Sequence, residues 1–389
     1  MTTAHAEPDT GPSPATAEGS VDRTDWVAAI PFIAVHLAPL AAFFVTVTWQ
    51  DWVLCGVLYV VRMFFITAGY HRYLSHRSYR MNRVAQFIMA FGGTTAVQKG
   101  PLWWAGHHRL HHRQTDLDDD VHSPRDGLWW SHVGWILSTR YKSTDPSTIK
   151  DFAAYPELRF LDRAPWIGPW LLAGACLLIG GWGGLLIGFF LSTVLLWHGT
   201  FLVNSMAHVV GRRRFATPDT SRNSLFVALL TGGEGWHNNH HYLPSSVRQG
   251  LTWWEIDPTW YVLRGLAAVG LVHDLKRPPA RLLAQARVRD GAFDIGMFRS
   301  YWERAAKLTG ERIADLSARP VAPSDEAGAL SGAGSASNEP AASGAGSSLS
   351  GLISRALESA DQLATETRRS REGGRVGSGR PVGSDVPPG

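Results

Sequence analysis

The chain has 389 residues, of which 45% are hydrophobic and 18% charged, and its formal net charge is +4. Cys55 and Cys176 are the only cysteines and each lies in an apolar run, which excludes a disulfide-built secreted scaffold and a cysteine-rich zinc module. Basic and tryptophan-rich sequences can bind nucleic acid, but no nucleic-acid fold signature is present, so we expect no nucleic-acid partner.

Residues 1–24 are polar and rich in proline and glycine, which predicts a disordered leader. Residues 25–318 are predicted to form one membrane domain, and the Gly/Ala/Ser-rich residues 319–389 a disordered tail. Within the domain, four apolar stretches are long enough for membrane helices. Their approximate bounds are 26–49, 52–68, 166–180 and 183–203. Short turns join them in pairs, so we predict an all-α integral membrane protein built on two helical hairpins.

The distribution of basic residues predicts the topology of these spans. Both hairpin turns lack Lys and Arg, whereas the 69–165 loop and the chain after Asn204 are rich in Arg. The positive-inside rule then places both termini and the long loop in the cytoplasm, and we expect a multi-pass protein of a bacterial plasma membrane. The apolar run from Val84 to Val97 is too short to span and predicts a buried or interfacial helix. Arg62, inside the second span, must snorkel to the interface or face a partner.

Histidine is the most distinctive residue of this chain. Three boxes occur, HRYLSH at 71–76, HRLHH at 108–112 and HNNHH at 237–241, and a further histidine ends the string NSMAH at 204–208. Positions i, i+3 and i+4 share one face of a helix, so the second and third boxes each present three imidazoles together. The candidate ligands are His71, His76, His108, His111, His112, His208, His237, His240 and His241.

The first box is different, because His71 and His76 are five residues apart. On a regular α-helix they would lie about 140° apart. They can therefore point the same way only if the helix ends or distorts there. Alternatively, the pair could bind two metal ions, or one ion from two sides.

The number of histidines predicts the kind of metal site. Imidazole suits iron, copper, nickel and zinc. Nine ligands are too many for one tetrahedral zinc ion, so the boxes predict two first-row metal ions with room for water or O2. Since all nine follow the predicted spans, we expect a metal centre just beneath the cytoplasmic membrane surface, covered by a cytoplasmic helical domain.

The remaining histidines and the nearby carboxylates have other expected roles. We assign no special role to three scattered histidines, and expect three others to form hydrogen bonds. The first set is His5, His36 and His273, and the second is His122, His132 and His198. His107 precedes the second box but lies off its three-histidine face. Asp116, Asp119, Asp120 and Glu234 are the nearest carboxylates. Glu234, three residues before His237, and Asp116, four residues after His112, are candidates for orienting metal-binding imidazoles.

Together these motifs resemble the membrane fatty-acyl desaturases, and in particular the Δ9 acyl-CoA (stearoyl-CoA) desaturase branch. The likeness covers about residues 45–295 and includes SHVGW at 131–135, GEGWHNNHH at 233–241 and AAVGLVHDLK at 267–276. It implies that the nine histidines bind two Fe2+ ions, that Asn204 approaches them through a water, and that Glu234 and Asp120, which match acidic positions of the family, orient metal-binding imidazoles. It also implies an enzyme that uses O2 and two electrons to introduce a cis double bond into a saturated acyl chain.

The substrate is less well defined by the sequence. Trp103, Trp104, Trp197 and Phe201 are candidate walls of an acyl tunnel or, equally, membrane-interface anchors. Arg212 begins an Arg triplet that could bind a phosphate-bearing headgroup, although the positive-inside rule explains it as well.

The carrier and the electron donor are also open. Animal acyl-CoA members of the family carry charged residues where this chain has Trp103 and Gly106, so acyl-CoA, acyl carrier protein and an intact lipid all remain candidate carriers. The chain carries no haem electron-carrier sequence, so electrons are expected from a separate ferredoxin or flavin reductase. Two other functions are possible: a di-iron membrane hydroxylase, and a non-enzymatic haem or metal carrier. The carrier is disfavoured because haem ligands normally lie inside apolar helices, whereas these boxes lie beyond the predicted spans, among Arg and Asp residues.

Overall fold

Long apolar runs fold as helices because only a helix satisfies every backbone polar group of a single segment in hydrocarbon. The computed structural model describes residues 24–284 and 293–294, so the tail and all but the last residue of the predicted leader lie outside the described part. This part is mostly helical. Its α-helices are α1 Trp26–Leu37, α2 Trp49–Phe64, α3 Arg83–Thr94, α4 Pro101–Gln114, α5 Leu128–His132, α6 Lys150–Ala153, α7 Pro156–Arg163, α8 Ile167–Gly183, α9 Ser192–Asn204, α10 Leu225–Leu230, α11 His237–Tyr242, α12 Pro258–Ala268 and α13 Ala280–Ala284.

Other helix types and a few short strands complete the described chain. Two π-helices extend α2 and precede α9, at Phe65–Ser75 and Gly184–Leu191. Short 3-10 helices are Ala38–Phe44, Pro124–Asp126, Gly134–Leu137, Pro146–Ile149 and Met206–His208. The strands β1 Arg80–Met81 and β3 Val272–His273 pair antiparallel, as do β2 Gly211–Arg212 and β4 Phe293–Asp294.

Three continuous helical stretches are long and apolar enough to cross a membrane: Trp26–Phe44, Trp49–Ser75 and Ile167–His208. The first stretch ends at Phe44, before the expected 49, because Val45 is extended. The second then begins at Trp49, where Asp51 Oδ2 accepts hydrogen bonds from Thr48 N (2.8 Å) and Thr48 Oγ1 (2.9 Å). This capping box fixes the start of α2 directly after Thr48. The break between the first two stretches therefore lies at residues 45–48 and not at Gln50.

The third stretch folds back on itself. Gly181 interrupts it with φ +58° and ψ −147°, a conformation that glycine adopts without the clash of a Cβ. Beyond this break Gly184 lies directly against the carbonyl oxygen of Cys176. The two halves therefore run antiparallel, with their turn inside the glycine-rich segment where the sequence predicted one.

Small residues and one buried arginine join the helices. Gly188 lies against Leu54 of α2, where a side chain would not fit. Arg62 is 1% exposed and donates to Thr193 Oγ1 (2.8 Å) and Ser192 Oγ (2.5 Å) of α9. Arg62 thus faces hydroxyl partners on a neighbouring helix, as one of its two expected fates required.

The short apolar run expected between the hairpins forms α3. Asn82 caps it by accepting from Ala85 N at 2.8 Å. Val84 and Ile88 are 69% and 56% exposed, whereas Met89 and Ala90 are buried. One face of α3 therefore packs in the main core and the other presents apolar side chains outward, as expected of an interfacial helix. That core draws on the extended second helix, α3, α4, α7, α9 and α12, and its most buried members include Tyr70, Leu74, Tyr79, Leu158, Leu161, Leu196 and Leu263.

Two glycines of this fold should respond oppositely to alanine. A Cβ at buried Gly235 would press on backbone atoms of Ser224 and Val227, which cannot move aside without shifting α10, whereas exposed Gly265 in α12 has open space around it. We expect Gly235→Ala to cost about 1–3 kcal/mol of stability and Gly265→Ala to add about 0.5–1 kcal/mol. Thermal unfolding of the purified variants measures both. A Gly235→Ala protein that melts at or above the Gly265→Ala protein would contradict this packing.

Candidate metal centre

The distortion that the first histidine box needs is a π-helix. His76 N donates to His71 O at 3.2 Å, an i→i+5 hydrogen bond. In this ladder residues five apart come onto nearly the same face, and the His71 and His76 ring centroids lie 4.8 Å apart. The condition set by the spacing of this box is therefore met.

The nine predicted ligands assemble into two groups. In the first group, one ring nitrogen of each member lies within 4.8 Å of those of all the others, and the same holds for the second group. The first group is His71, His76, His108, His112 and His240, and the second is His111, His208, His237 and His241.

Two helices supply both groups. From α4, His108 and His112 join the first group while His111 joins the second. From α11, His240 joins the first group while His237 joins the second. Both helices thus contribute to both groups, the second helical stretch supplies His71 and His76 only to the first group, and the segment after α9 supplies His208 only to the second.

The spacing of the ring nitrogens fits bound metal ions. The Nε2–Nε2 distances are 3.1 Å for His71–His240, 2.9 Å for His112–His240 and 3.0 Å for His208–His237. Two imidazole nitrogens at right angles about a metal, each about 2.0–2.1 Å from it, are about 2.9 Å apart, whereas a tetrahedral angle separates them by about 3.3 Å. The distances are therefore short enough for each pair of imidazoles to share one metal ion.

Unpartnered nitrogens support this assignment. Nε2 of His111 and Nε2 of His241 are buried and have no hydrogen-bond partner among the described residues. A buried imidazole nitrogen without a partner is unfavourable unless a ligand or an ion satisfies it. Both nitrogens belong to the second group, which therefore fits a metal by its unpartnered donors as well as by spacing, while the first group fits by donor type and spacing.

Both carboxylates expected to orient the imidazoles do contact them. Glu234 Oε2 lies 2.5 Å from His71 Nδ1, and Asp120 Oδ1 lies 2.7 Å from His111 Nδ1. A carboxylate at Nδ1 fixes the ring orientation and leaves Nε2 free to bind a metal. Asn204 lines the cavity beside the groups, and Asp119 is exposed and pairs with Arg140 instead.

Further supporting residues were missed or only partly anticipated by the sequence. Asp219 Oδ2 lies 3.0 Å from His241 Nδ1. Asp116 Oδ2 lies 4.0 Å from His208 Nδ1 and accepts from Thr220 Oγ1 at 2.6 Å. Asp219 stands in a loop without a repeating pattern, so only its place after the NSMAH string could have suggested it.

His122, expected to form ordinary hydrogen bonds, lies closer to the centre than the sequence suggested. One ring nitrogen of His122 comes within 4.8 Å of ligand atoms of His111 and Asp120. Its Nδ1 is buried without a partner among the described residues.

Glu234 is held by a buried ion network. Arg72 donates to Glu234 Oε1 from Nε (3.1 Å) and Nη2 (3.0 Å), and its Nη2 lies 2.9 Å from Asp257 Oδ1. All three side chains are buried. Since Arg72 follows His71 directly, this network ties the first histidine box to the loop before the third.

Burial and charge set the ionisation of these groups. Burial raises the pKa of Glu234, but the charges of His71 and Arg72 outweigh it and lower the pKa to about 2. Burial and then neighbouring imidazoles lower the pKa of six histidines well below the usual range. They are His76, His108, His112, His237, His240 and His241. Burial also lowers the pKa of His111, but the charge of Asp120 outweighs it and raises that pKa. The cluster therefore favours the neutral form, which binds metal, for these six imidazoles and not for His111.

This ionisation predicts how the metal-free protein responds to acid. Each histidine with a lowered folded-state pKa stabilises the fold fully above its unfolded pKa of about 6.5, and this contribution is lost as the pH falls below it, by up to about 1.4 kcal/mol per histidine and pH unit. We expect the melting temperature of chelator-treated protein to fall steeply from pH 7.5 to pH 5.5. A melting temperature that is flat or rises over that range would contradict the neutral cluster.

An apolar cavity of about 300 Å³ adjoins both groups. Four of the five predicted substrate residues line it: Trp103, Trp104, Trp197 and Phe201. Arg212 does not. It lies on β2, where Arg212 N donates to Asn223 O at 2.9 Å, and its exposed side chain lies outside the cavity lining.

Polar residues that the sequence did not single out fix the cavity wall. Gln98 Oε1 accepts from Trp104 Nε1 at 3.1 Å, and Gln98 Nε2 donates to Thr200 Oγ1 at 2.9 Å. The Trp104 ring is thereby held beside the first group, with its centroid 5.1 Å from that of His108. This bracing gives the wall next to the histidines a defined shape.

Comparison with known proteins agrees with the chemistry of this site. A family profile described as "Fatty acid desaturase" matches residues 47–275. The chain is 38% identical over 258 residues to the chloroplastic palmitoyl-monogalactosyldiacylglycerol delta-7 desaturase of Arabidopsis thaliana, covering 65% of this chain and 69% of that protein. It is 38% identical over 271 residues to the sn-2 palmitoyl-lipid 9-desaturase of Nostoc sp. (strain 36), covering 67% and 93%. It is also 38% identical over 237 residues to the acyl-CoA C20 Delta5-desaturase of Anemone leveillei, covering 60% and 76%.

Proposed function

The chain belongs to the fatty acid desaturase family and is an integral membrane oxidoreductase, and from this premise we propose that it is an O2-dependent di-iron enzyme that introduces a cis Δ9 double bond into a saturated acyl chain. The observation that carries the proposal is the position of the two histidine groups on the wall of an apolar cavity. The balanced reaction consumes one O2, two electrons and two protons, removes one hydrogen from each of two adjacent methylenes, and releases two waters.

The chemistry requires a redox metal because an unactivated methylene has no acidic proton. Two iron ions held by the two histidine groups would supply O2 activation, which no side chain provides. The chain's own residues do the remaining work. Glu234 and Asp120 orient imidazoles, and Asn204 holds a water. Trp104, which Gln98 holds in place, and the other tryptophans of the cavity wall position the acyl chain and exclude solvent.

The Δ9 position is supported by relatives that act on acyl lipids. The Nostoc protein, of which the match covers 93%, is named a 9-desaturase, whereas the Arabidopsis thaliana protein is named a delta-7 desaturase and the Anemone leveillei protein a Delta5-desaturase. These names agree in acyl desaturation and differ in position and carrier. The match to the Nostoc protein, which includes almost its whole length, favours position 9.

We further propose that the helices cross the membrane four times as two hairpins. The turn at Gly181 divides the third long stretch into two antiparallel crossings. Arginine is sparse at both hairpin turns and frequent in the segments that carry the histidines, which favours a cytoplasmic metal centre in a bacterial plasma membrane. Electrons then come from a soluble cytoplasmic donor such as a ferredoxin or flavin reductase.

Lipid analysis tests the proposal directly. The full chain is expressed in a host that lacks desaturases, and fatty acids are analysed by mass spectrometry with localisation of double bonds. We expect a new monounsaturated acid with its double bond at carbon 9. A hydroxylated chain without alkene would support the hydroxylase alternative and contradict our proposal, and an alkene at another carbon would overturn the Δ9 assignment alone.

A further inference from the structure

Lys99 occupies an unusual place in the cavity wall. It lies in the loop between α3 and α4 and lines the cavity near Gln98. Its backbone is left-handed, with φ +64°, and so is that of Val97, with φ +58°. This conformation is unfavourable for residues with a Cβ and persists only where the surroundings impose it. The fold therefore holds Lys99 at this position at a cost in backbone energy.

The charge of Lys99 has no counter-ion in the described part of the chain. Its Nζ lies 4.1 Å from the ring centroid of Trp103, and it forms no salt bridge with any described residue. Burial and then the nearby Lys142 lower the pKa of Lys99. Lys142, in contrast, pairs with Asp25 at the start of α1. A half-buried cation in an apolar cavity, next to a second cation, favours an anionic ligand.

A neutral donor lines the same cavity as this cation, and both contact the Trp103 ring. The Trp135 ring is nearly parallel to Trp103, at 8°, with centroids 5.8 Å apart. Trp135 lines the same cavity and is 8% exposed, and its Nε1 has no hydrogen-bond partner among the described residues. An indole N–H can only donate a hydrogen bond, so this position fits a ligand with an acceptor such as a carbonyl oxygen.

We propose that Lys99 selects the carrier of the acyl chain by binding a phosphate on it, while Trp135 Nε1 donates to the ester or thioester carbonyl. One charged and one neutral donor match a carrier that has both a phosphate and a carbonyl. A free fatty acid and a neutral galactolipid have no phosphate. A phosphopantetheine thioester and a phospholipid share this chemistry. This inference rests on the proposed function, because it takes the cavity as the site of the acyl chain.

Separate kinetic and binding measurements on charged and neutral carriers test the role of Lys99. The iron-loaded full-length chain is compared as wild type, Lys99→Met, Lys99→Arg and Lys150→Met. Lys150 is an exposed lysine of α6 that does not line the cavity, so its variant carries the same charge change elsewhere. The substrates are stearoyl-CoA, stearoyl phosphatidylglycerol and stearoyl monogalactosyldiacylglycerol. KM and kcat are measured with reductant, and equilibrium binding without it.

We expect Lys99→Met to raise KM and the dissociation constant for one phosphate-bearing substrate about tenfold, with a smaller change in kcat. The substrate that responds identifies the source of the phosphate. Lys99→Arg should keep most of the affinity because it keeps the charge, and Lys150→Met should behave as wild type. Equal changes for the galactolipid and the charged substrates, or none for either charged substrate, would overturn the inference.

The two proposals can fail separately. Desaturation that is indifferent to Lys99 overturns the carrier inference and leaves the proposed function intact. Binding that depends on Lys99 without any double bond formed in the presence of reductant and O2 overturns the proposed function and supports the phosphate site.

Discussion

Replacing His240 by alanine is expected to abolish double-bond formation and to lower the iron content of the purified protein. His240 Nε2 lies 3.1 Å from His71 Nε2 and 2.9 Å from His112 Nε2, so this imidazole stands between two other members of the first group. Loss of residues that merely orient a metal ligand costs about 10- to 100-fold in activity or affinity, and loss of a ligand itself should exceed that range. Product analysis by mass spectrometry and elemental analysis of iron per chain measure the two effects.

A histidine outside both groups provides the matched control for this experiment. His273 lies on β3 and is exposed, so His273→Ala removes an imidazole of the same kind without touching the centre. We expect wild-type turnover and iron content from it. Full activity in the His240→Ala protein would show that the first group is not the metal site.

The second large effect is expected from Glu234→Gln. Glu234 contacts His71 Nδ1 at one oxygen and accepts from Arg72 at the other, so a neutral amide weakens both interactions. We expect iron affinity to fall about 10- to 100-fold. Because the substitution also leaves the buried Arg72 with less compensating charge, we expect a loss of stability of up to about 3–5 kcal/mol.

Comparison with Asp120→Asn separates these two contributions. Asp120 contacts His111 Nδ1 and accepts from Asp116 N, and no arginine depends on it in the described contacts. Its substitution should lower iron affinity to a similar extent but cost less stability. Chelator competition and thermal unfolding of both variants decide the matter, and equal losses of stability would mean that the Arg72 network does not hold the centre together.

The nine histidines that the sequence singled out do come together in the structure, because helical spacing is a local property that residues alone determine. The sequence did not predict their division, since three imidazoles on one face were expected to share one neighbourhood. In the structure adjacent His111 and His112 belong to different groups. That division depends on where other helices approach α4, which no local pattern encodes.

The ends of the second long helix show the same limit. Hydropathy placed its end near residue 68, where polar residues begin, but the helix continues to Ser75. The helix can include the charged Arg72 because Arg72 forms buried salt bridges with Glu234 and Asp257, which lie far from it in the sequence. Asp219 and Gln98 were not recognised because neither lies in or directly beside a histidine box, although Asp219 is only 22 residues from His241 and Gln98 six from Trp104. Glu234 and Asp120 lie close to histidine boxes and were recognised.

The sharing of α4 and α11 between the two histidine groups has a consequence for how the protein acquires metal. Filling either group fixes both helices, and with them the histidines that the same helices present to the other group. The conformational entropy lost in ordering the two helices is therefore offset largely by the binding of the first ion. The second ion then binds to histidines that are already in place. Uptake of iron should therefore be positively cooperative, so that during titration empty and fully loaded molecules coexist while those holding a single ion stay rare.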